Sequence, residues 1–245
     1  MKPEELISAF DDMKIPENAK ENVIIKIHSH KERKNKTMSF KKFIIAAAAA
    51  VMLIGAGVYA AGGTMWMSSS SSKADYSALP SEKTCIKDCG YAPVLADEFS
   101  NGYSFSDGNI VKNEITNEDG SGSEKFKSFS FKYKKGKDTV YFDQMKDSGQ
   151  TEVYGDIAAT ENGTDIYFFS YENKFVPADY KLSDAEKAAE AAGEIVFSYG
   201  SDKVEQKTIT IANWKNGGIY SSLMQMNGKL SKDELTDMAK EAIIK

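Results

Sequence analysis

FSFKYKKGKDTVYFDQM, Phe129 to Met145, is the stretch whose reading decides the fold. Phe129, Phe131 and Tyr133 alternate with Ser130 and Lys132, the period-two pattern of a strand with one buried face. Lys135-Gly136-Lys137-Asp138 is a turn signal, and Thr139 to Met145 returns as the hairpin partner. A lone hairpin is marginal in water, so its apolar face calls for more strands or a helix.

Both are found on working outward. Tyr103 to Phe105, between Asn101-Gly102 and Asp107-Gly108, reads as a short strand between turns. Val153 to Ala159 and Asp165 to Tyr171 form a second hairpin about Glu161-Asn162-Gly163. DIYFFSY carries aromatics on both faces, which predicts a central strand covered on both sides. Ile195 to Tyr199, Thr208 to Trp214 and Ile219 to Met226 supply further strands. Ser183-Asp184-Ala185-Glu186 is a capping box that opens an Ala-rich helix ending at Gly193. Ser231-Lys232-Asp233-Glu234 repeats it before Leu235, Met238, Ala239, Ile243 and Ile244, a stripe that should lie on the sheet. The expectation over 79–245 is an α+β domain, an antiparallel sheet with helices on one face.

Upstream the composition changes. MSSSSSKADYSA, residues 67–78, has little apolar surface and reads as a Ser-rich linker. Before it, FIIAAAAAVMLIGAGVYAA, Phe43 to Ala61, is uncharged, and that character continues to Ser72. About 20 apolar residues span a bilayer core, so 43–66 is expected to be a transmembrane helix, with Tyr59 and Trp66 at the outer headgroup level. A buried core helix would be unusually apolar all round. A cleaved export signal is the other alternative, with Val58-Tyr59-Ala60 offering small residues ahead of Ala61.

The whole chain, 245 residues, has a formal net charge of −5. Split at the apolar segment, residues 1–42 carry +3 and residues 73–245 carry −8. Lys31, Arg33, Lys34, Lys36, Lys41 and Lys42 crowd just before the span, which by the positive-inside rule predicts a cytoplasmic N-terminus and an extracellular C-terminal domain. Within the expected cytoplasmic helical segment 1–42, Leu6, Ile7, Phe10 and Met13 share one helix face, and Val23, Ile24 and Ile27 another. So short a segment cannot bury both, which leaves docking to a cytoplasmic protein or rest on the inner leaflet.

The chemistry-bearing residues are few. Cys85 and Cys89 are spaced for a small disulfide loop, for free thiols or, less typically, for a redox pair, whose usual spacing is one residue tighter. His28 and His30 lack further ligands for a metal, and both precede the span, so His-dependent mechanisms are excluded from the outer domain. Glu114, Glu118 and Asp119 sit in or beside a polar stretch that reads as a solvated loop without the alternating acids of a calcium loop. No cofactor or metal site and no enzyme is expected.

AFDDMKIPE (Ala9–Glu17), CGYAPVLADEFSNGYSF (Cys89–Phe105) and NGKLSKDELTDMAKEAI (Asn227–Ile243), in the order stub, span, tether and strand-rich domain, resemble membrane-anchored anti-sigma-factor-like regulators of Gram-positive bacteria. The resemblance implies that residues 1–40 hold a sigma factor while the outer domain senses an envelope signal. The zinc-type His-x-x-x-Cys-x-x-Cys motif is missing, so any such binding would use the two apolar faces. The alternative is a surface-anchored or secreted binding or structural domain with no sigma-factor role.

Overall fold

The computed structural model describes residues 56–61, 64–117, 123–147, 153–177, 179–192, 194–199 and 201–244. In chain order these form β1 (Ala56–Ala61), β2 (Thr64–Ser70), α1 (Glu82–Cys89), β3 (Ser104–Asn117), β4 (Ser123–Lys135), β5 (Asp138–Lys146) and β6 (Asp156–Glu161). There follow β7 (Thr164–Val176), α2 (Asp184–Ala192), β8 (Ile195–Tyr199), β9 (Glu205–Asn216), β10 (Ile219–Met226) and α3 (Lys232–Ile244). The ten strands make one sheet in the order β1-β2-β3-β4-β5-β10-β9-β7-β6, with β8 alongside β7. All pairs are antiparallel except β7 with β8, which α2 connects.

The expected α+β class holds, with helices packed on one face. Alternation sends Phe129, Phe131, Tyr133, Phe142, Trp214 and Leu223 to that face, where they are buried against Leu235, Met238 and Ala239 of α3 and Cys85 of α1. Most rings are packed edge-on or tilted, as with Phe99 and Tyr133 at 4.9 Å and Phe142 and Trp214 at 5.9 Å, while Phe129 and Phe131 stack at 5.4 Å. Both capping boxes form: Ser183 and Ser231 oxygens accept from the N–H groups of Glu186 and Glu234, whose carboxylates accept in return. Asn162 and Gly163, at φ 49° and 78°, turn the second hairpin as its sequence predicted.

Three expectations are corrected. DIYFFSY is covered on both faces as expected, Phe168 packing on the aromatic core and Phe169 on the opposite face, but it is not at the sheet centre; β7 lies between β9 and the edge strands β6 and β8. Asp107-Gly108 is not a turn but the interior of a 14-residue strand, entered through a bulge between Phe105 and Asp107. Gly108 is there because a Cβ would lie 2.6 Å from the Phe131 ring.

The third correction reaches furthest. Ala56–Ala61, the end of the expected membrane span, is an edge strand: Val58 pairs with Met67, Tyr59 with Trp66 and Ala61 with Thr64. Strand β2 in turn pairs along β3 from Thr64–Asn117 to Ser70–Val111, so Ser68–Ser70, expected in the linker, belong to the sheet. The physical reason is in the composition. Gly57, Gly62 and Gly63 each weaken a helix, by composition alone. Among the described residues no helix is long and apolar enough to cross a membrane. The transmembrane helix over 43–66, the single-pass localisation and the membrane as partner are therefore corrected. With them falls the resemblance to membrane-anchored anti-sigma-like regulators, and the sigma-factor partner loses its support. Residues 43–55 lie outside the described residues.

Candidate functional site

Of the residues singled out in the sequence, Leu6, Ile7, Phe10, Met13, Val23, Ile24 and Ile27 lie outside the described residues, as do Lys31, Arg33, Lys34, Lys36, Lys41 and Lys42. Cys85 and Cys89 are both on α1, one helical turn apart, as free thiols. Cys85 is buried and packs on the aromatic core, while Cys89 is half-buried beside it. Burial, reinforced by the nearby Asp88 carboxylate, pushes the Cys85 thiol up to about 11. Burial pushes Cys89 up to about 12, against the opposing pull of Lys127. Neither is a thiolate at neutral pH, which is the reverse of a reactive cysteine. Around them Tyr76 donates to Asp88 at 2.7 Å and Lys127 to the Asp88 carbonyl at 2.9 Å, contacts that fasten α1 to the sheet.

The more unusual chemistry is on the sheet's second face. Strand pairing aligns Ser130 of β4, Asp143 of β5, Ser222 of β10 and Asn213 of β9 in one row across the four strands. Ser222, Asn213 and Asp143 are buried, with Asp143 only 1% exposed. Val111, Met145, Tyr154 and Tyr220 form an apolar cluster at one side, and Ile209, Ile211 and Met224 another.

Most of the polar groups here are satisfied. Asn213 accepts from the Tyr154 N–H at 2.9 Å and donates to the Tyr154 carbonyl at 2.8 Å, pinning that loop to the face. Ser68 donates to Asn113 at 2.7 Å, which donates to Ser128 at 2.8 Å, knitting β2, β3 and β4. The Asn173 amide nitrogen lacks a partner, and Asp143 is the charged exception: neither carboxylate oxygen makes a regular hydrogen bond, with the Ser130 hydroxyl drawing on it. The hydroxyl of Tyr220, on the adjacent strand, makes no regular hydrogen bond either, with the Ser222 hydroxyl drawing on it. Burial pushes the Asp143 carboxyl up to about 7, with Ser130 alone drawing it back. The Tyr220 hydroxyl is pushed up by burial and then by the Asp143 charge, which places the two groups within electrostatic reach.

Lys132 lies on the same face, one row along, and could have neutralised this charge. Its ammonium is bound to Asp107 instead, at 2.9 Å, and sits 5.9 Å from the centre of the Tyr141 ring. A buried carboxylate with no regular hydrogen bond is costly, so its retention in the middle of a sheet is a functional signal.

None of these second-face residues was singled out in the sequence. Alternation assigns Asp143 to the side of the hairpin opposite Phe142, which reads as solvent; the signal in hindsight is an acid flanked on its own face by Tyr141 and Met145.

The fold and site define an α+β sheet domain with a buried acid on the face away from its main helices. No family model, no curated protein and no solved structure matches the chain.

Proposed function

We propose that this chain is an exported binding domain, secreted or displayed at the cell surface, and that it is not an enzyme. The observation that carries the binding role is the contrast between Asp143 and its neighbour Gln144. Gln144 is bonded through both its amide oxygen and its amide nitrogen and holds a loop in place, whereas Asp143 is buried at equal depth and neither of its oxygens makes a regular hydrogen bond, the Ser130 hydroxyl alone drawing on it. A group that the fold does not use is available to a ligand. The basic run Lys31 to Lys42 ahead of the apolar residues Phe43 to Ile54, upstream of β1, is the pattern of an export signal, which supports placement outside the cell. The non-catalytic reading is supported by the raised thiols and by the position of both histidines ahead of the domain.

Intact producing cells treated with a membrane-impermeant amine-reactive biotin ester test the placement. Exposed lysines such as Lys83, Lys87 and Lys137 should be labelled without lysis. Labelling that appears only after lysis would contradict an exported domain.

A further inference from the structure

We infer that the Asp143 row is a binding site for a sodium ion, held by the Asp143 carboxylate together with the hydroxyls of Ser130, Ser222 and Tyr220. The inference rests on the binding-domain reading and names the ligand of that same site.

Charge is the first argument. One buried carboxylate supplies a single negative charge, which a monovalent cation cancels. A divalent ion would leave a net positive charge in the interior, and calcium sites gather several carboxylates. Among the described residues no three His, Cys, Asp or Glu side chains are grouped to hold a metal ion.

Donor chemistry is the second. The row offers only oxygen: a carboxylate, two serine hydroxyls directly opposite it in register on either side, and a phenol on the next pair along β10. Hard oxygen donors suit alkali and alkaline-earth ions and not the softer transition metals. Enclosure is the third. Asp143 is 1% and Ser222 2% exposed while Ser130 is half-buried, an opening that suits a bare ion better than an organic ammonium with a carbon stem. Finally, two of the orphaned groups of the face, the Asp143 carboxylate and the Tyr220 hydroxyl, are accounted for at once. The ion neutralises the carboxylate and coordinates the Tyr220 oxygen, while the phenolic proton is free to point at Asp143. The fold's own candidate counter-ion, Lys132, is engaged with Asp107.

The test is thermal unfolding of the full chain at pH 8 in sodium chloride against choline chloride at equal ionic strength, which separates the ion from general screening. Sodium should raise the midpoint by about 3–5 °C when it exceeds its dissociation constant tenfold or more. Asp143→Asn should abolish that difference. Ser222→Ala, which keeps the charge and removes one oxygen, should weaken the apparent sodium affinity by about tenfold and serves if the first variant fails to fold. Equal midpoints in sodium and choline would overturn the inference, as would an undiminished sodium response in Asp143→Asn. A larger shift with calcium or magnesium at matched ionic strength would overturn the monovalent assignment. The two readings fail separately, because a flat sodium response leaves surface labelling untouched and absent labelling leaves the sodium response intact.

Discussion

The two faces of the sheet solve the same problem differently, and β5 carries both solutions in consecutive residues. On the helix-packed face, the polar groups that meet the Tyr91–Ala96 loop are tied down, and what is left without a partner there is neutral, as with the Thr210 hydroxyl. Gln144 accepts from Val94 N–H at 2.7 Å and returns a bond to its carbonyl at 2.9 Å, Tyr91 donates to the Gln144 carbonyl at 2.6 Å, and Tyr133 donates to the Ala96 carbonyl at 2.7 Å. These bonds fix the loop from Tyr91 to Ala96 across the aromatic core. The second face has comparable burial but keeps a carboxylate and a phenol without a regular hydrogen bond. A fold selected for stability alone would have treated them as it treated Gln144. The difference separates a structural face from a functional one.

Four changes break or sharpen this comparison. The largest effect belongs to the structural face. Trp214, 1% exposed beneath Phe142, should cost about 3–5 kcal/mol when truncated to Ala, read by urea unfolding.

Next comes the pH profile of the functional face, measured in choline buffer. The folded Asp143 carboxyl titrates near 7, above the roughly 3.9 of an unfolded aspartate. Between these values the folded state binds more protons than the unfolded, so stability falls as pH rises through this window. The penalty is absent below pH 4 and complete above pH 7, on the order of 4 kcal/mol for a shift of about three units. Asp143→Asn should remove that slope, so that its stability relative to wild type improves steadily from pH 4 to pH 8.

Gln144→Leu should then lose about 2–3 kcal/mol by stranding the Val94 N–H and carbonyl, with little change in the pH profile. Were Gln144→Leu neutral and Asp143→Asn destabilising at pH 8, the assignment of the two faces would be reversed. The smallest effect is at a helix end. Ser231→Ala removes the cap of α3 and should cost about 1 kcal/mol by the same unfolding measurement.

How far the molecule was legible in its sequence follows from the same comparison. Alternation works where one face of a strand is apolar and the other polar, so Phe129–Tyr133 could be placed from residue pattern alone. Local capping chemistry was equally readable, because Ser183 and Ser231 act on N–H groups three residues away. Pattern failed where a tertiary neighbour decides. The length of β3 was hidden by Asp107-Gly108, a glycine that answers to the Phe131 ring on the next strand and not to a turn. β1 was hidden by an apolar run whose reading as a membrane helix rested on hydropathy, which does not distinguish a helix from an edge strand with a partner at Thr64–Ser70. The Asp143 row was hidden because its members come from four strands, and only their register brings them into line.

The central claim is that Asp143 is held for a ligand, and the most direct measurement is its own titration. Carboxyl carbon NMR of the full chain, with Asp143→Asn assigning the resonance, reads the apparent pKa in choline and in sodium. The account predicts a value near 7 in choline that moves down as sodium is added. An ordinary aspartate value in choline, or one near 7 that sodium leaves in place, would contradict it.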